Sequence, residues 1–202
     1  RSEVEKIVGA QAFTIDDEQL FSGEEILVVN ASGVPFRVPT DGTELQVTGE
    51  VREFDITTIA REFNLDFDPN TYLEYEDKPV IIAKSFALAP KPGEITRNPG
   101  KFYNQVIAVE AEVEKTFGPI TFTLDEDRLI GGSDLLVLKP LSSPTSVEEN
   151  EKVVVIGVLR PFVVSELDRE YELTKDLNLQ RRLDLEHRNK PVLLAKDIFR
   201  VE

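Results

Sequence analysis

The chain has no cysteine, no methionine, no tryptophan and a single histidine, His187. Without cysteine there are no disulfides, no thiolate nucleophile and no Cys-ligated zinc site, and the absence is compatible with an exported protein. With one histidine and no thiol, the usual nucleophile–base pairs cannot be assembled. Long apolar runs are also missing. The longest, VVVIGVL and PVIIA, fall far short of the roughly 18 residues a membrane span requires. Basic residues are outnumbered, 23 Lys and Arg against 38 Asp and Glu, for a formal charge of −15. Nucleic-acid binding draws most of its affinity from cations neutralising phosphates, and anionic membranes attract polybasic segments. Neither partner is expected for this chain. With no Met at its start, Arg1 leaves a cleaved signal peptide, a lipoprotein leader or a shortened chain open as upstream arrangements, and a membrane anchor there stays open as well.

What the sequence does contain is a repeat. Ser2–Asn30 lies over Ala111–Lys139 without a gap, with about 12 of 29 positions identical. Shared landmarks are Glu3/Glu112, Lys6/Lys115, Gly9/Gly118, Phe13/Phe122, Asp16/Asp125 and Gly23/Gly132. Thr48–Phe63 then lies over Ile156–Tyr171, and Lys78–Phe86 (KPVIIAKSF) over Lys190–Ile198 (KPVLLAKDI). Three collinear blocks point to one module used twice, in residues 1–88 and 98–202, with Ala87–Pro99 as a Pro- and Gly-marked linker. The later copy is preceded by Asn98–Val109, a turn and a strand-like stretch. The first copy has no counterpart in the sequence, so roughly 12–17 further residues, a strand and its lead-in, are expected upstream of Arg1.

Within each copy the hydrophobic period is two. In the second it predicts strands at Val106–Phe117, Thr121–Asp125, Asp134–Lys139, Lys152–Phe162 and Pro191–Ile198. A Gly118-Pro119 turn follows the first strand and a Gly131-Gly132 turn precedes the third. Ser165–Leu173 reads as a helix, with Ser165 as its cap and Leu167 and Tyr171 on one face. The first copy repeats the order, with a helix at Thr57–Phe63 and an Asp41-Gly42 turn. The fold class expected is all-β with minor α: two tandem small antiparallel barrels, each with one short helix before its last strand. In both copies an Arg-Glu-aromatic triple (Arg61-Glu62-Phe63, Arg169-Glu170-Tyr171) is expected to set its aromatic ring at one end of the barrel, with the Arg paired locally.

Five strands and one helix are the inventory of the OB-fold. The runs FTID and FTLD, LQVTGEV and VVVIGVL, and VIIAKSF and VLLAKDI stand where many bacterial OB modules carry theirs. In these runs the chain resembles exported bacterial OB-fold-like proteins of unassigned function, over nearly its whole length and twice. It departs from them in placing the helix before the last strand. The resemblance implies an extracytoplasmic location, in the periplasm or cell envelope, and a non-enzymatic binding or assembly module acting through protein–protein contacts. The alternative is a cation- or small-ligand-binding periplasmic protein, and single-stranded nucleic-acid binding is the third reading.

Candidate sites are few. His187 has Tyr75 at its place in the first copy, so the module does not need an imidazole, and an exposed surface position is expected. Asp66, Asp68, Asn70, Glu74 and Asp77 place oxygens at the spacing of a calcium loop. Thr71 stands where the turn-making Gly belongs, and Pro69 is unusual there, so an Asx-turn loop is the competing reading. The acidic ends Asp16-Asp17-Glu18 and Asp125-Glu126-Asp127 occur in both copies. Phe13 and Phe122 occupy the strand on which OB-folds carry base-stacking rings, but Phe alternating with Thr reads more simply as core.

Overall fold

The computed structural model describes residues 1–16, 25–37, 44–125, 134–171, 173 and 177–201, and the side chains of 169 and 170 are not described. The chain divides into two compact units, Arg1–Leu88 and Ala89–Glu202. It is mostly β.

In the second unit β6 (Val106–Thr116), β7 (Thr121–Leu124) and β8 (Leu135–Leu138) form an antiparallel meander. β8 runs parallel to β10 (Pro191–Arg200), which is antiparallel to β9 (Lys152–Pro161). The ring closes because β6 serves two neighbours. Its Val106–Glu112 half pairs with β9 and its Val113–Thr116 end with β7. The result is a closed five-stranded barrel, which leaves no edge open.

The first unit has β1 (Val4–Val8), β2 (Ala12–Asp16), β3 (Glu25–Asn30), β4 (Leu45–Glu53) and β5 (Pro79–Leu88). Its pairings run in the same order: β1–β2 and β2–β3 antiparallel, β3–β5 parallel, β5–β4 antiparallel. Among the described residues, the Ser2–Leu45 bridge is what links the start of the chain to β4.

Local irregularities fall at equivalent residues. The β1–β2 register shifts between Val4 and Lys6, and the β6–β7 register between Val113 and Lys115. The partner strand bulges at Lys84 opposite Thr48/Gly49 and at Lys196 opposite Ile156/Gly157. At each bulge the neighbouring backbone folds over the glycine. A Cβ on Gly49 would lie 2.9 Å from Ala83 Cα, and one on Gly157 would lie 2.8 Å from the Leu194 carbonyl carbon. Glycine inside a strand marks such close approaches.

The period-two pattern weakens in β3 and β8, whose cores ILVV and LLVL are buried on both faces. The helices supply the second cover. In the first unit α1 (Ile56–Phe63) and α2 (Pro69–Tyr72), with a 3-10 turn at Leu73–Tyr75, bring Ile59, Phe67, Tyr72 and Tyr75 onto Leu27, Val29, Val80 and Ile82. Ile26 and Val28 face the opposite way, towards Phe13, Ile15 and Leu45. In the second unit α4 (Val164–Tyr171) and α5 (Leu177–His187) lay Leu167, Tyr171 and Leu183 on Leu136, Leu138, Val192 and Leu194. A strand covered on both faces reads as a continuous apolar run.

Several sequence expectations need correction. α1 is capped by Asp55, whose Oδ1 accepts from the Thr58 amide at 2.6 Å, and it ends on left-handed Asn64. The corresponding α4 begins at Val164, so Ser165 lies inside the helix and is not its cap. LNLQRRLDLEH, for which no element was expected, is the helix α5, and only Leu183 and His187 on it are buried. Its weak apolar stripe explains why periodicity misses it. The division between the units, at Leu88/Ala89, falls within Ala87–Pro99. In that segment Ala89, Pro92, Gly93 and Ile95 are buried, and Pro92–Arg97 forms a helix, α3, that packs on β8. The turns at Asp41-Gly42 and Gly131-Gly132 lie outside the described residues.

The deepest aromatic residues are Phe54 and Phe162, both 0% exposed and each just ahead of its helix. Phe63 packs at the margin of the first core and Tyr171 within the second. Glu62 of the first triple is held by Arg52, at 2.9 Å to both carboxylate oxygens, rather than by Arg61.

Candidate functional site

The acidic loop that spaces oxygens like a calcium site is built around its apolar residues. Phe67 and Tyr72 turn inward and meet Phe54, with ring centroids 4.6–6.2 Å apart, and the Tyr72 hydroxyl donates to the Val8 carbonyl at 2.8 Å. The oxygens between them are thereby thrown outward and given local work. Asp68 caps α2, accepting from the Asn70 amide at 3.2 Å and the Thr71 hydroxyl at 2.8 Å, and these bonds hold its carboxyl below the usual range. Glu74 lies 3.6 Å from Lys6. Asp66 is exposed.

Asp77 takes a left-handed conformation, φ 62°, in a turn where its amide donates to Phe54 O and the Phe54 amide donates to Lys78 O. Asn189 does the same at φ 61° against Phe162 and Lys190. Asp and Asn are the residues that tolerate this region without glycine. Among the described residues no three carboxylates or histidines stand together as metal ligands. The five residues of the calcium-like spacing are therefore not gathered around one point.

His187 is not on the surface. It is 8% exposed at the end of α5, and its Nδ1 has no hydrogen-bond partner among the described residues. Burial pushes its pKa down, the Lys190 charge adds to this, and Glu186 opposes it. Tyr75 is buried at the equivalent place, 8% exposed, with its hydroxyl pushed up to about 12 by burial first and then Glu74. The position therefore takes a flat, buried ring in both units.

Phe13 and Phe122 are 2% and 1% exposed, which leaves no ring face for a base to stack on. Of the shared acidic ends, Asp17, Glu18, Glu126 and Asp127 lie outside the described residues.

Two further features stand out in the structure, the first of them at the place where the sequence comparison leaves the first copy without an opening strand. The first is the outer side of β4. Its counterpart β9 is covered by β6 and its lead-in: the Leu159 amide donates to Gln105 O at 3.3 Å, the Asn104 amide donates to Leu159 O at 2.9 Å, and Leu159 is fully buried. Val51 occupies the place of Leu159 and is 57% exposed. Among the described residues β4 pairs along its length with β5 alone.

The second feature is a cavity of about 290 Å³ in the second unit, walled by the Thr116–Pro119 turn, Phe122, Lys139 and the loop 141–147. Lys139 is 8% exposed. The only trace of it in the sequence is the exchange of Asn30 for Lys139 between the copies.

Among the described residues, no helix is long and apolar enough to cross a membrane. No family model and no curated protein matches the chain. Among solved structures it is similar to a protein described as an aspartyl-tRNA synthetase from Leishmania major Friedlin, at 11% identity and a TM-score of 0.33. That likeness covers 57% of this chain and 21% of the other, so this chain spans about a fifth of that protein's length. A similarity of this size carries no argument about fold or function.

Proposed function

We propose that the chain is a tandem pair of OB-like barrels from an exported protein, a non-enzymatic binding or assembly module acting through protein–protein contacts, with the outer side of β4 as the place where an extended segment adds. The common pairing order of the two units supports the duplicated-barrel reading. So do the bulges opposite Gly49 and Gly157 and the left-handed turns at Asp77 and Asn189. The lack of cysteine supports the extracytoplasmic location.

The observation that carries this reading is the one-sided pairing of β4 among the described residues, with Val51 exposed where Leu159 is buried. The stretch that covers β9 aligns largely ahead of Arg1, so the segment that adds here is either upstream chain or a partner. An unpaired strand edge offers a row of donors and acceptors to any extended segment of matching register. The segment that fills this role on β9, residues 103–112, defines the chemistry expected of an occupant: extended, with a continuous apolar run (VIAV), and lightly charged.

The test is a peptide of sequence 103–113 titrated into the chain, with the amide resonances of residues 46–53 followed by NMR. Saturable shifts confined to β4 are expected. Val51→Pro removes the donor equivalent to the Leu159 amide, a change that edge strands tolerate, and should abolish binding while the melting temperature holds. Binding that survives Val51→Pro, or shifts located elsewhere, would sink the proposal. If the natural chain extends upstream of Arg1, repeating the titration on that longer chain separates an edge filled by the chain itself from one that takes a partner.

A further inference from the structure

Lys139 ends β8 with its side chain turned into the 290 Å³ cavity rather than into water. Among the described residues its ammonium makes one hydrogen bond, to the Thr145 carbonyl at 2.9 Å, and pairs with no carboxylate. An ammonium has three donors, and a buried charge is ordinarily paired. Burial alone lowers the lysine's pKa, in keeping with a cation that lacks its counter-ion.

The first unit shows what this position does when structure is its only task. Asn30 stands there and ties down its own loop, its Nδ2 donating to Val34 O at 3.0 Å and its Oδ1 accepting from Ser32. A neutral amide suffices for the tie. The second unit performs the same tie with a charge, and keeps that charge in a cavity.

The remaining walls say what the charge faces. Thr116, Ser143, Thr145 and Ser146 bring hydroxyls to the lining, while Pro119, Phe122, Pro144 and Leu141 are apolar. Leu141 is 62% exposed at the mouth, an apolar side chain left in water. Just outside, Lys115 and Arg182 lie over the Phe117 ring, at 5.4 and 4.8 Å from its centroid. Glu149 is exposed, its Oε1 accepting from the Thr116 amide at 3.0 Å. The one enclosed cation, Lys139, balances a single negative charge better than two.

We propose that this cavity is a binding site for a small monocarboxylate with an apolar body. The carboxylate pairs with Lys139 Nζ and accepts from the Ser143 and Ser146 hydroxyls, those of Thr116 and Thr145 already donating to Glu149 and to Ile198 O. The body lies along Pro119, Pro144 and Leu141. The site is independent of the β4 edge and belongs to the second unit alone, since Asn30 cannot supply the charge.

The test uses acetate, hexanoate and benzoate as probes, with neutral benzamide and inorganic phosphate as comparisons. Binding is read from amide shifts of Thr116, Ser143 and Thr145 and by calorimetry. Hexanoate and benzoate should saturate with Kd of the order of 1 mM or tighter, and acetate, benzamide and phosphate should bind more weakly. Lys139→Asn, which installs the first unit's residue, should weaken benzoate by about tenfold or more, the size of one charge-assisted hydrogen bond. Its melting temperature should not fall. Leu141→Ser should weaken hexanoate and leave acetate unchanged. The proposal is overturned if none of the three carboxylates shifts these amides, if benzamide equals benzoate, or if Lys139→Asn binds benzoate as the natural chain does.

Discussion

Replacing Gly157 by alanine tests the barrel at its tightest backbone approach. The added Cβ would lie 2.8 Å from the Leu194 carbonyl carbon and 3.0 Å from Ala195 Cα, with the Leu194 oxygen closer still. Carbon atoms in contact normally stand about 3.5–4.0 Å apart, so the overlap is roughly 0.5–1 Å. A flexible side chain could swing aside, but here the obstacle is the backbone of β10, held to β9 by the bulged ladder. The two strands would have to separate. That places the cost at the top of the overpacking range, about 3 kcal/mol. For a unit of about 100 residues this is a fall in melting temperature of roughly 12–24 °C.

The same reasoning applies to Gly49→Ala against Ile82 and Ala83 in the first unit. The control is Gly100→Ala, where no atom lies within 4 Å of the new Cβ and stability should hold within about 0.5 kcal/mol. Calorimetry and urea melts on the three variants decide the matter. If Gly157→Ala melts with the control, the close approach of β10 to β9 is wrong and so is the argument built on it.

Truncating either fully buried ring, Phe54→Ala or Phe162→Ala, should cost about 3–5 kcal/mol in urea unfolding, and by similar amounts, since each plugs the same position under its helix. His187 is kept neutral in the folded state by burial and by Lys190. Above about pH 6.5 it is neutral in the unfolded chain as well. Below that pH the unfolded chain takes up a proton that the folded chain refuses, so stability falls by up to about 1.4 kcal/mol per pH unit until the folded pKa is reached. His187→Tyr, which copies the first unit, should remove that part of the acid slope in urea melts compared at pH 7 and 5.5. Asp77→Asn should preserve the left-handed turn at little cost, whereas Asp77→Ala should lose about 1 kcal/mol. A calcium-dependent rise in melting temperature that Asp77→Asn abolishes would show that the carboxylate is a ligand after all.

The strand order of each unit could be read along the chain because inward positions recur with period two and the turns carry Gly, Pro or Asp. The equivalence of the units could be read as well, since residues that meet special backbone demands, such as Gly49 and Gly157, recur at equivalent places. Side-chain direction in the loops could not. Asp66, Asp68, Asn70, Glu74 and Asp77 look like ligands because their spacing suits a calcium loop, and only the inward turn of Phe67 and Tyr72 disperses them. His187 looked exposed because its neighbours are charged. One face of α5 rests on β8 and β10, and local polarity carries no record of that contact.

The sequence by itself determined the strand order along each unit and the exclusion of thiol and zinc–cysteine chemistry, because these follow from residue identity and spacing. Tertiary structure alone decided which charge is enclosed. Lys139 is one lysine among many until the turn at Gly118 and the loop 141–147 close around it.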